Sequence, residues 1–150
     1  MKKTILIGTL LLIAVIGTSF AAGTDDGTWF AKNSFKKEFS NASLIRWDNY
    51  KAFTKATFTM NGRVLYAYYT NGGELLAVAG NILSDRLPVT LQTELRKNYS
   101  GYWVTDLFEV ASEGETDYYI TIENPDYVLV LKSNASDGWE MYSRKKKNVE

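Results

Sequence analysis

Apolar and polar positions alternate along this chain with two different periods, and the periods appear in the same order twice. From Thr28 to Ser40, Trp29, Phe30, Phe35 and Phe39 fall close to one side, while Lys32, Lys36 and Lys37 turn away. That spacing predicts an amphipathic helix. Four strand-like runs follow. Leu44 to Tyr50 carries Leu44, Ile45 and Trp47. Ala52 to Met60 alternates, with Ala52, Thr54, Ala56, Phe58 and Met60 on one side and Phe53, Lys55, Thr57 and Thr59 on the other. Asn61-Gly62 predicts a tight hairpin into Val64 to Thr70. Asn71-Gly72-Gly73 then turns the chain into Leu75 to Ala79.

The second series opens at Leu87-Pro88, where a proline suits a first helical turn because no partner awaits its missing N–H. Val89, Leu91, Leu95 and Tyr99 keep helical spacing until Gly101 breaks it. The runs Trp103 to Ser112, Asp117 to Glu123, Tyr127 to Ser133 and Trp139 to Tyr142 come next. Glu113-Gly114-Glu115, Asn124-Pro125-Asp126 and Ser136-Asp137-Gly138 separate them as turns. The shortest runs, Leu75 to Ala79 and Trp139 to Tyr142, are also compatible with loops. Arg144 to Lys147 reads as a frayed, solvated tail.

The repetition extends to the residues themselves. KKEFSNASLIRW, from Lys36, returns sixty residues later as RKNYSGYWVTDL, from Arg96. YAYYTNGGELLAV, from Tyr66, returns as VLVLKSNASDGWEMY, from Val128, with Gly73 matching Gly138. Each half is too small to bury a good core alone, which predicts that the two copies share one. The expected fold class is α+β: tandem duplicated helix-plus-antiparallel-sheet repeats, 28–86 and 87–143, in a single domain. Helices would cover one face of the sheet and leave the other partly open to solvent.

The N-terminus changes the picture. Lys2 and Lys3 precede an apolar run from Ile5 to Ile16, too short to span a bilayer comfortably, followed by Ser19 and Ala21. This is the pattern of a signal peptide, residues 1–21, with cleavage after Ala21 or, less favourably, Ala22. Residues 22–27 read as a flexible leader and 144–150 as a basic polar tail. Without Lys2 and Lys3 the chain holds 15 basic and 17 acidic residues, a net charge near −2. That balance lacks the basic surface of a nucleic-acid binder. With no Cys there is no lipoprotein anchor and no disulfide. With no His either, the commonest general base, thiol nucleophiles and His/Cys zinc sites are excluded.

What chemistry remains is thin. Asp106 and Glu109 fall on opposite faces of one strand, so they do not flank a bond. Ser100 with Lys97 is repeated as Ser40 with Lys37, which suits a helix-end turn better than a nucleophile. No oxygen-rich calcium loop has the expected spacing. No catalytic residue, metal or cofactor is therefore expected.

The helix ending KKEFSNASLIRW, the strand pair KATFTMNGRVLYAYYTNGGELL, the helix LPVTLQTELRKNYSGYWVTDLFEV and the hairpin TDYYITIENPDYVLVLKSNASDG resemble the PepSY-like, β-lactamase-inhibitor-like family of exported Bacteroidetes-type proteins. The resemblance spans roughly Phe35 to Tyr142. It implies tandem helix-plus-sheet repeats and an analogy, of fold only, to β-lactamase inhibitor protein and to the PepSY domains of peptidase propeptides.

Aromatic residues make up 14% of the chain, ten of them Tyr and four Trp. Strand alternation places Tyr119 on the sheet face away from the core, with Tyr66 and Tyr68 as further members. Together with Trp103 these are the candidate partner-binding residues, because Tyr and Trp combine apolar area with a polar end. Trp47 and Trp103 occupy near-equivalent places after the two helices and suit a structural role; Trp139, after a glycine turn, is expected to be more exposed. The function these features imply is an exported, periplasmic or secreted, non-enzymatic binding protein. Its partner would be a protein or peptide of the cell envelope, with peptidase regulation as one version. The alternative is a small envelope molecule, a lipid or glycan fragment, bound between sheet and helices.

Overall fold

A computed structural model describes residues 25–148 of the 150. The expected signal peptide and most of the expected leader lie outside the described residues. Two α-helices, one short 3₁₀ turn and eight strands follow in order: α1 (Asp25–Glu38), β1 (Ser43–Asn49), β2 (Thr54–Met60), β3 (Arg63–Tyr69), β4 (Leu75–Asn81), the turn Ser84–Arg86, α2 (Val89–Asn98), β5 (Trp103–Ser112), β6 (Glu115–Glu123), β7 (Tyr127–Ser133) and β8 (Glu140–Lys146). The strands are ordered β1 to β8 in one sheet, and the pairs β1–β2, β2–β3, β5–β6, β6–β7 and β7–β8 are antiparallel.

This architecture corrects the expected tandem helix-plus-sheet repeats. The described residues form mostly an eight-stranded antiparallel sheet with two short helices. A physical reason lies in strand edges: a separate four-stranded sheet exposes two unpaired edges, whereas a sheet ordered β1 to β8 leaves only β1 and β8 unpaired. By compactness the described residues divide after Val78 into two units, unit 1 before and unit 2 from Ala79 on.

In unit 1, α1 lies on β2. Ala31 and Phe35 pack with Ala56, Phe58, Ala67 and Tyr69, and Phe39 and Trp47 line the edge of this cluster. The rings meet at angles: Phe35 to Phe58 at 5.0 Å and Phe35 to Trp47 at 5.5 Å, both edge-on, a favoured aromatic arrangement. The buried stripe of α1 is Thr28, Ala31 and Phe35, while Trp29 and Phe30 are exposed. The expectation that placed Trp29 and Phe30 on the core side is thus corrected. Asn61 and Gly62 both have positive φ, 52° and 75°, as the two-residue hairpin between Met60 and Arg63 requires.

In unit 2, Leu87 and Leu91 pack on Leu107, Ile120, Ile122, Leu129, Leu131 and Trp139. Each unit thus has a core cluster of its own. Trp139 is buried rather than exposed, because its Nε1 donates to the Leu91 carbonyl at 3.0 Å. Trp103 is half-exposed, not a closure of the helix-to-sheet join. Counting sixty residues along, the counterpart of Trp47 is Leu107, and both face their cores. The two short runs are strands, β4 and β8. Arg144, Lys145 and Lys146 form the end of β8 instead of a frayed tail, since the β7 partners Tyr127, Val128 and Leu129 hold them in register. Their charges also suit an edge strand, where like-charged side chains discourage further pairing.

Candidate functional site

Strand alternation sends Ala56, Phe58, Ala67 and Tyr69 under α1. It therefore sends Lys55, Thr57, Tyr66 and Tyr68 to the far face of β2 and β3. Register sets Lys55 opposite Tyr68 on β3 and opposite Asp48 on β1. The Lys55 ammonium lies 3.3 Å from the Asp48 carboxylate, with both side chains under 10% exposed. It also lies 5.7 Å from the Tyr66 ring and 5.9 Å from the Tyr50 ring. Each ring face offers the cation an attractive quadrupole. Asp48 takes a second bond from Arg46 Nε at 3.1 Å. Phe53 stacks on Tyr50 at 4.5 Å and approaches Tyr68 at 5.8 Å.

This far face was expected to be partly open; in unit 1 one end of it is closed, while Val64 is exposed and Tyr66 half-buried at the other. Phe53, Lys55, Thr57 and Tyr68 are all buried. Burial, then the neighbouring Tyr66 and Tyr50, pushes the Tyr68 phenol well above its usual value. Tyr69, on the core side, is pushed up as well, by burial and by its 3.0 Å hydrogen bond to the Glu38 carboxylate. The Thr57 hydroxyl has no hydrogen-bond partner.

Unit 2 builds a related cluster from other strands. Lys132 on β7 lies 2.9 Å from Asp117 and 5.5 Å from the Tyr119 ring. Tyr142 of β8 meets Tyr119 edge-on at 5.7 Å. Burial raises the Tyr119 phenol above its usual value against the opposing pull of Lys132. Burial works against the charge of Lys132, but its bond to Asp117 and its contact with Tyr119 leave its value raised.

Trp103 makes a third feature. Its ring is 49% exposed, yet it is held in place. Its Nε1 donates to Glu123 at 3.2 Å, and the Lys147 ammonium lies 5.1 Å from the ring and 2.6 Å from the same carboxylate. The Lys147 bond, more than the Trp103 bond, holds the Glu123 carboxyl below its usual range.

The four candidate residues are therefore placed as follows. Tyr66 is half-buried beside Lys55, and Tyr68 lies buried in the same cluster. Tyr119 is buried beside Lys132, and Trp103 stands half-exposed at the start of β5. Of the four, Trp103 offers the most area to a partner. Sequence reasoning passed over the charged partners: Lys55 with Asp48, Lys132 with Asp117, and Glu123 with Lys147. Their signal was present, since a lysine inside an alternating strand on the same face as tyrosines has to find a carboxylate or a ring when buried.

No group of three or more His, Cys, Asp or Glu side chains that could hold a metal occurs among the described residues. No helix among them is long and apolar enough to cross a membrane. Asp106, raised above its usual value by burial, is tied to Asn81 and to the Leu107 N–H rather than to a second carboxylate.

No family model matches the chain. No curated protein matches it either. Solved structures do. A DUF2874 family protein from Bacteroides ovatus ATCC 8483 is 17% identical, with a TM-score of 0.68, over 78% of this chain and 85% of that one. A candidate periplasmic protein from Bacteroides eggerthii DSM 20697 is 19% identical, with a TM-score of 0.68, over 78% and 86%. A BLIP-like protein from Bacteroides fragilis NCTC 9343 is 18% identical, with a TM-score of 0.66, over 79% and 84%. At these identities the likeness is one of fold: the chain shares the fold of the DUF2874 and BLIP-like proteins.

Proposed function

We propose that the chain is a non-enzymatic binding protein of the periplasm that recognises a protein or peptide. The observation that carries this reading is Trp103, an exposed ring on a strand, fixed in advance by Glu123 and Lys147. A pre-positioned Trp loses little freedom on binding and brings a large apolar area, the usual make-up of an interface anchor. Tyr66 and Tyr142, half-buried and exposed respectively, add further aromatic surface in their own units. The absence of His and Cys from the sequence supports a binding role over an enzymatic one. The periplasm is suggested by the signal-like N-terminus and by the description of the B. eggerthii protein. A regulated peptidase is the version of the partner that the PepSY resemblance suggests.

The test is affinity capture from native envelope extract, with each captured protein then titrated as a purified species. Trp103→Ala should weaken the specific partner about tenfold or more, while Trp29→Ala, at a still more exposed aromatic on α1, should not. Equal binding by wild type and Trp103→Ala would sink the proposal.

A further inference from the structure

Each unit carries a groove between the last turns of its helix and the strand that follows. In unit 1 the groove has a volume of about 430 Å³; Phe35, Phe39, Leu44 and Trp47 form its apolar walls, with Lys32 and Lys36 at its rim. In unit 2 the volume is about 490 Å³. Apart from Trp47, every residue lining the first groove has a counterpart sixty positions later that lines the second. Both volumes fall within the range of about 300–1,000 Å³ typical of small-ligand sites.

The two grooves differ in charge and in the rings that line them. Lys32 and Lys36 are exposed, and neither takes part in an ion pair among the described residues. Among the described residues no carboxylate lines their groove. In unit 2 the counterpart of Lys32 is Gln92, whose amide is committed to the Leu87 carbonyl at 2.9 Å. The remaining cation, Arg96, shares the groove with Asp85. Where unit 1 has the small Ala42, unit 2 has Tyr102, set edge-on against Tyr99 at 6.0 Å. An apolar trough under two uncompensated ammonium groups fits an anion with an apolar body. A trough whose one cation shares the site with a carboxylate does not.

From this charge complementarity we infer that the unit 1 groove binds a small amphipathic monocarboxylate of the fatty-acid type, its chain against Phe35, Phe39 and Trp47 and its carboxylate at Lys32 and Lys36. The unit 2 groove has lost that capacity. This inference stands apart from the protein-binding proposal, because it uses other residues and another ligand.

Dodecanoate, dodecanol and dodecyltrimethylammonium, each below its micelle concentration, are titrated into the protein by calorimetry, with amide chemical shifts followed in parallel. The expected result is one dodecanoate per chain, with shifts centred on Lys36, Phe39 and Leu44. The alcohol should bind more weakly and the cation not at all. Lys32→Glu with Lys36→Glu should weaken dodecanoate about tenfold or more, whereas Arg96→Glu should change nothing. Both changes are on exposed side chains, and circular dichroism checks that the double variant is folded. The inference is overturned by no dodecanoate binding, by two equal sites, by equal affinity for the cation, or by an unaltered affinity of the double lysine variant.

Discussion

Unit 1 fills its interior with rings, and unit 2 fills its own with branched aliphatic side chains. Phe35, Phe58 and Tyr69 fill the first core, and Leu91, Leu107, Ile120 and Leu131 the second, with Trp139 as its buried aromatic. The backbone features survive this change. β1 and β5 each shift register at one residue, between Leu44 and Arg46 and between Val104 and Asp106, sixty positions apart. Gly73 and Gly138 each sit tight against a helix, the first under the Phe30 backbone and the second against the Glu94 carboxylate. The contrast teaches that pattern and volume are kept while the identity of core side chains drifts, as expected when many apolar sets fill a given space. Polar contacts are less interchangeable. The Lys55–Asp48 pair is buried, and its relative Lys132–Asp117 is partly exposed.

The ion pairs give the largest expected contrast. Asp48→Asn leaves the Lys55 charge buried without its partner, which should cost about 3 kcal/mol. Asp117→Asn should cost about 1 kcal/mol or less, because solvent screens Lys132. Urea unfolding of both variants measures this, and equal losses would show that the two clusters are not different in kind.

The glycines come next. A Cβ on Gly73 would lie 2.8–2.9 Å from Phe30 atoms, two of the three in the backbone, at a φ of +83°. Gly73→Ala should therefore destabilise by about 2 kcal/mol. At Gly138 the obstacle is the Glu94 side chain, which can turn aside at the loss of its two 3.2 Å contacts from the Trp139 N–H. Gly138→Ala should cost about 1 kcal/mol. The reverse ranking in thermal melts would mean that the loop of unit 1 moves more easily than its contacts imply.

The smallest effect is a pH response concentrated in unit 1. Tyr68 and Tyr69 have phenols raised in the folded state. Their contribution to stability is complete below the unfolded tyrosine value of about 10 and is lost as pH rises above it. Ultraviolet titration should find these two tyrosines ionising only with alkaline unfolding. Tyr68→Phe, which removes one such group, should flatten the fall in stability above about pH 10; an unchanged slope would show that this phenol does not control it.

Much of the chain was legible as a linear pattern. The hairpin at Asn61-Gly62, the bounds of β5 and β7 and the place of α2 follow from turn chemistry and spacing, both local properties. The far-face location of Tyr66, Tyr68 and Tyr119 was also readable from alternation, since a strand has only two sides. Pairing and burial were not legible. Trp29 and Trp139 each had a plausible place on either side of the surface, and only packing put one outside and bonded the other to the Leu91 carbonyl. The basic run at Arg144 looked like a tail until β7 offered it a ladder of hydrogen-bonding groups. Part of the far face of unit 1 closed because Lys55, Asp48, Tyr50 and Tyr66 meet across β1, β2, β3 and the loop beside them, a meeting set by strand pairing and not by spacing alone. Sequence alone determined most of the helix and strand segments, the turns between them and the apolar side of the central strands. Tertiary structure decided which strands pair, which aromatics remain exposed and which charges meet, because those depend on non-local contacts that no window along the chain contains.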